Sequence, residues 1–165
     1  MSAATAKHLA QQYWQYSLRH YASPAIADLC LSLQDNYGIN VNLLLFAGFL
    51  SQCRYTLPAA KQPLLMTRVR TFDQRYLRRI RRLRRRVKTL LPDQSPRWYA
   101  DFKQLELTAE RLQQVLIVGV SYRHLVHSKS TTAQNLRLLL TTDHDVLDAK
   151  MAKQLDALAQ LLDLS

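Results

Sequence analysis

Glu106 and Glu110 stand one helical turn apart with Arg111 beside the second, and positions i and i+4 of a helix share a face. Two carboxylates so placed suit a divalent cation or a shared proton. No second acidic helix motif completes a metal site, so their expected role is to neutralise Arg84 or Arg81 of a preceding antiparallel helix. Asp143-His144-Asp145 and the pair His124 and His127 also carry metal-ligating side chains. Thr142 with Asp145 three residues on reads instead as a helix N-terminal cap, where acids suit the helix dipole. Two histidines three apart at a helix end are too common to identify a ligand set. A third polar group, Gln34, Asp35, Asn40 and Asn42, surrounds Gly38. These side chains either cap the helices that meet there or line a small pocket beside Arg84, Arg85, Glu106 and Glu110; structural capping and buried pairing is the favoured role.

The chain has no Gly-rich phosphate loop, nucleophile elbow, zinc-protease helix motif or Cys-x-x-Cys pair, which argues against a familiar enzyme. No catalytic, cofactor-binding or metal-binding residue is assigned, and no cofactor is expected. Cys30 and Cys53 fall in apolar helical patterns and read as small buried hydrophobes, kept as thiols in a reducing compartment.

The basic residues point elsewhere. Between Arg54 and Lys88 lie 13 basic residues and one acid, Asp73, whereas the rest of the chain has 10 basic and 11 acidic residues. The whole +11 excess therefore resides in one segment. With successive side chains about 100° apart, Val69, Tyr76, Leu77, Ile80, Leu83, Val87 and Leu91 fall within an arc of about 140°. Arg75, Arg78, Arg79, Arg81, Arg82, Arg85, Arg86 and Lys88 fill the opposite side. Arg84 projects near the apolar stripe, where it needs an acidic partner. A merely solvated helix mixes both signs, but like-charged neighbours cost about a few tenths of a kcal/mol per pair, and an anionic partner relieves that repulsion. Arginine rather than lysine suits phosphate, because the planar guanidinium offers two parallel hydrogen bonds and stacks on bases.

The elements that must hold these residues read as helices. Thr5 to Tyr21 has no Gly or Pro, and its apolar and aromatic residues share a broad face. Ser23 and Pro24 open a second helix that Gly38 closes, and Asn40 caps a third through Phe49. Leu64 to Leu91 forms a long basic fourth helix, ended by Asp93-Gln94-Ser95-Pro96. A fifth runs from Pro96 to about Ser128 with Leu105, Ala109, Leu112, Leu116 and Val120 inward, and its apolar middle, Val115 to Val120, crosses the domain centre. Gln134 to Leu140 and Val146 to Leu162 supply two more. The expected architecture is an all-α, single-domain helical bundle of six or seven helices with one long Arg-rich helix, spanning 1–165 with 1–4 and 163–165 frayed.

With 165 residues, 48% hydrophobic, 3 Gly and 5 Pro, the chain suits one packed core rather than a disordered tail or a turn-rich sandwich. The longest apolar run, Leu43 to Leu50, is far short of the ~20 residues that cross a bilayer. Met1 to Gln12 has no signal-peptide core, so a cytoplasmic location is expected.

Trp14, Leu18, Tyr21, Leu33-Gln34-Asp35, Gly38, Val41-Asn42 and Leu44-Leu45 form one series of blocks; Leu83-Arg84-Arg85, Lys88, Glu106-Leu107 and Ala109-Glu110-Arg111 form another. On these blocks, from about Tyr13 to Leu116, the chain resembles an uncharacterised family of small helical proteins from proteobacteria, a domain of unknown function. The resemblance implies counterparts for Arg81, Arg84, Arg85 and Lys88 and other residues where Arg78, Arg79, Arg82 and Arg86 stand. It implies no activity or cofactor. Three functional readings follow from the sequence. The first is a non-enzymatic module that binds RNA, or a ribonucleoprotein, through the arginine face. The second is an adaptor for an acidic protein, and the third an enzyme that uses the polar cluster around Gly38. The C-terminal stretch after Leu140, with five Asp and two Lys, is acidic enough to mask the basic face in the free protein.

Overall fold

The structure, a computed structural model, describes residues 3–90, 95–140 and 148–164. Helix α1 (Ala3–Tyr21) leads to α2 (Pro24–Tyr37), whose proline occupies the first turn, where its missing N–H costs nothing. Gly38 ends α2 in the left-handed conformation at φ 69°, and its N–H returns to Gln34 O at 2.9 Å. Asn40 then caps α3 (Val41–Gln52), its side chain accepting from the Leu43 N–H at 3.3 Å. This helix–turn–helix follows the sequence reading.

Helix α3 is the centre of the molecule. Every residue from Asn42 to Leu50 is buried, and α1, α2, α6 (Ser95–Ser121), α7 (Thr132–Leu140) and α8 (Ala149–Leu164) surround it. The central place expected for Val115 to Val120 thus belongs to α3. In α6 only one side of that stretch is covered: Ile117 and Val118 are buried, whereas Val115 is exposed. Helix α6 also stops at Ser121 rather than near Ser128. The chain there turns through 122–124 and pairs β2 (Val126–His127) antiparallel with β1 (Tyr55–Thr56), Tyr55 opposite His127. His124 and His127 therefore lie in a turn and a strand, not together on a helix end, and His127 packs its ring against Tyr55.

The basic segment is one continuous rod of two α-helices, α4 (Gln62–Phe72) and α5 (Arg78–Leu90), joined by a π-helical turn over Asp73–Leu77. That turn inserts an extra residue and rotates everything after it. Val69 and Leu77, eight apart, both point inward, while Tyr76, seven from Val69, is 53% exposed. Leu83 is likewise 48% exposed, so the apolar stripe expected for this helix does not pass through Tyr76 and Leu83. Leu91 lies outside the described residues, as do Asp93, Gln94 and the Thr142–Asp145 cap. Among the described residues the helices number seven when the rod is taken as one, which agrees with the all-α bundle. No described helix is long and apolar enough to cross a membrane.

Candidate functional site

Helices α5 and α6 pack antiparallel, and the rotation imposed by the π-turn brings Leu77, Ile80, Arg81 and Arg84 against α6. Arg81 thus lies on the inner side of α5 rather than on the outer face where the regular 100° spacing put it. Its Nε meets Glu106 Oε1 at 2.8 Å and its Nη2 meets Glu110 Oε1 at 2.9 Å. Arg84 Nε meets Glu106 Oε2 at 2.7 Å, and its Nη1 donates to the Tyr99 hydroxyl at 2.8 Å. The carboxylates at i and i+4 on α6 therefore do what their spacing predicts and neutralise arginines of the preceding helix.

Burial shapes the protonation of this cluster. It pushes the Glu110 carboxyl up, and Arg81 offsets only part of that. It also disfavours the Arg81 charge, yet the hydrogen bonds that Arg81 donates to Glu106 and Glu110, with the attraction of those carboxylates, win and hold that proton more firmly than usual. On the far side, Asp73 pairs with Arg78 at 2.7 Å. Asp73, Glu106 and Glu110 are thereby engaged by Arg78, Arg81 and Arg84. Arg75, Arg79, Arg82, Arg85 and Arg86 are exposed, with no carboxylate paired to them among the described residues. The side chain of Lys88 lies outside the described set.

The polar residues around Gly38 come together with two that the sequence reading passed over, Gln113 and Gln114. Both are buried on α6, three and four residues, about one turn, after Glu110. Asn40 and Asn42 donate to Gln113 Oε1 at 3.1 and 2.8 Å. Gln114 Nε2 donates to Asn42 Oδ1 at 2.9 Å and to Ser17 Oγ at 3.0 Å. Asn42 also meets the Glu110 carbonyl at 3.5 Å, and its own carbonyl accepts from the Tyr13 hydroxyl. The Gln114 Oε1 atom is buried and has no hydrogen-bond partner. The missed signal was positional: Glu106, Glu110, Gln113 and Gln114 share one face of α6, which makes its buried seam polar and turns Leu105 and Leu112 outward at 48% and 57% exposure.

This network does not close the space. A cleft of about 320 Å³ opens between α1, the Gly38 turn, α5 and α6, floored by Ser17, Asn42, Gln113 and Gln114. Trp14 and Tyr21 line it, and Gln34, Asp35, Arg84 and Arg85 also reach it. A second hollow of about 560 Å³ lies between the Gly38 turn and the α4–α5 rod and shares Gln34, Asp35, Asn40, Arg81 and Arg85 with the first. Arg111 does not join the cluster; it is exposed, with its guanidinium carbon 5.6 Å from the centre of the Trp14 ring.

Glu106, Glu110, the Gly38 turn and all the cleft-lining residues fall inside residues 12–117, which match the family model described as "Protein of unknown function (DUF2390)". The chain belongs to that family. No curated protein and no solved structure matches the chain. The all-helical architecture comes from the structure, and the family description leaves activity open. Outside it, the described acids of the C-terminal stretch are engaged away from α5: Asp148 with Tyr37, Asp156 with Arg137 and Asp163 with Thr132. Among the described residues, no three His, Cys, Asp or Glu side chains stand close enough to hold one metal ion. Asp143, His144 and Asp145 lie outside them. Cys30 is buried and Cys53 half-buried, both as free thiols, and burial pushes the Cys30 thiol up to about 12.

Proposed function

We propose that this protein binds RNA through the outer face of α5, chiefly by contacts to phosphate. The observation that carries the reading is the division of the arginines. Arg81 and Arg84 are consumed by Glu106 and Glu110, whereas Arg75, Arg79, Arg82, Arg85 and Arg86 form an exposed surface of one sign, with no carboxylate paired to them among the described residues. Such a surface stores repulsion that a polyanion relieves, and each neutralised phosphate releases counterions. The described acids after Leu140 pair with residues away from α5, which favours an accessible basic face.

The test is RNA binding across a salt series for the native chain and for the combined variant Arg79→Glu, Arg82→Glu, Arg86→Glu. Each lost phosphate contact lowers the slope of log affinity against log salt by about 0.7–0.9, so the triple variant is expected to lose roughly two units of slope along with most of its affinity. Unchanged affinity and slope would remove α5 from the interface. Capture of an acidic protein that survives nuclease but is lost in the same variant would replace RNA with a protein partner.

A further inference from the structure

The arginine face adjoins the cleft, and the two differ in charge. Outside, the free arginines carry one sign. Of the residues that line the cleft, Arg81 and Arg84 are paired with Glu106 and Glu110, and the lining also holds Asp35 and the exposed Arg85, so its formal charges cancel. A phosphate gains little in such a place, while a neutral group rich in hydrogen-bonding edges loses little on entering it. The floor is polar: the amides of Asn42, Gln113 and Gln114 line it, bonded to one another and to Asn40 and Ser17, and Gln114 Oε1 is left without a donor.

The walls are those of a ring-binding site. Trp14 and Tyr21 line the cleft, and Arg111 over the Trp14 ring restrains the indole. Leu18, Tyr21, Leu31 and Leu107 gather around the same opening at 45%, 37%, 42% and 38% exposure, so four large apolar side chains face water at one spot. Isolated exposed leucines need no explanation, but a cluster on the rim of a polar-floored cleft marks a binding site. Its volume of about 320 Å³ suits one ring system rather than a long ligand.

A neutral planar ring with a polar edge, attached to a negatively charged chain, satisfies both halves of this surface. We propose that the cleft receives one unpaired base of an RNA whose phosphates lie along Arg85 and its exposed neighbours, so that the protein selects single-stranded over duplex RNA. This rests on the RNA reading of α5. A base within a duplex is stacked and paired and enters such a cleft only by leaving the helix, whereas an unpaired base is free to stack on an aromatic wall.

The experiment compares an unstructured RNA with the same strand annealed to its complement. Binding is followed by fluorescence anisotropy over a salt series for the native chain, Trp14→Ala, Trp14→Phe and Tyr21→Ala. The native chain is expected to prefer the single strand by about tenfold, the scale of one base–aromatic stack. Trp14→Ala and Tyr21→Ala are expected to bring the single strand down to the duplex level with an unchanged salt slope, and Trp14→Phe to keep most of the preference. If Trp14→Ala does not fold, Tyr21→Ala, at a half-exposed position, decides. Equal binding of both RNAs by the native chain with a steep salt slope overturns the cleft proposal and leaves the arginine face standing. A preference retained in Tyr21→Ala does the same. No salt-dependent binding of either RNA overturns the arginine-face reading and the cleft proposal with it. A free nucleoside that quenches Trp14 fluorescence with an affinity equal to that of the single strand would overturn RNA as the source of the base.

Discussion

Replacing Glu106 by glutamine tests the division between structural and free arginines. The carboxylate holds Arg81 at 2.8 Å and Arg84 at 2.7 Å, with the Glu106 side chain only 14% exposed and the arginines 23% and 24%. Glutamine keeps the volume and removes the charge. Breaking a fully buried pair costs about 3–5 kcal/mol, whereas exposed pairs contribute about 0–1 kcal/mol. Arg81 retains Glu110 at 2.9 Å and Arg84 retains the Tyr99 hydroxyl at 2.8 Å, so neither is stranded outright. The expected loss is therefore about 2 kcal/mol, below the fully buried range. The comparison is Asp156→Asn, which breaks the pair with Arg137 at 57% and 46% exposure and should cost about 0.5 kcal/mol or less. Urea unfolding at neutral pH reads both from the midpoint, provided the slope is unchanged. Equal losses in the two variants, or a neutral Glu106→Gln, would refute the claim that Arg81 and Arg84 are committed to the fold.

Two further outcomes follow from the core. Gly48 in α3 packs against Tyr16, and a Cβ there would collide with its hydroxyl and stand 3.1 Å from Leu162 Cδ1. Tyr16 cannot swing away freely, because its ring is buried between His20 and Phe49. Gly48→Ala should gain about 1 kcal/mol in helix propensity and lose more to overpacking, for a net destabilisation of about 1–2 kcal/mol by urea midpoint; a stabilised variant would contradict the packing described. His20 is buried beside Tyr16, and burial lowers its pKa below the usual 6.5 even though its ring bonds the Tyr16 carbonyl. The unfolded chain then takes up that proton first, so the stability His20 contributes is whole above pH 6.5 and lost as the pH falls toward the lower folded value. Glu110, raised by burial, acts in the opposite sense nearer the carboxylate range, so the difference between the native chain and His20→Gln isolates the histidine. Parallel pH profiles for the two proteins would show that His20 titrates as in the unfolded chain.

Local rules in the sequence determined much of this molecule. Pro24, Gly38 and Asn40 set the ends of α2 and α3 through backbone geometry that depends on a few neighbouring residues, and the structure has those ends. The apolar run of α3, the acid pair on α6 and its arginine partners follow from composition and i to i+4 spacing. The register of the arginine helix did not. A π-turn at Asp73–Leu77 leaves no local signature in hydrophobicity, yet it rotates α5 so that Tyr76 and Leu83 face water and Arg81 faces α6. The seam of α6 escaped for a related reason. The helical spacing of apolar residues pointed to Leu105 and Leu112, but Gln113 and Gln114 are buried because Asn40, Asn42 and Ser17, about 70 and 100 residues away, complete their hydrogen bonds. Whether a polar residue can be buried is decided by partners distant in the chain. The sequence by itself therefore determined the helices, their caps and the charge of α5, while only the tertiary structure decided which arginines are spent on the fold and that an open cleft lies beside the rest.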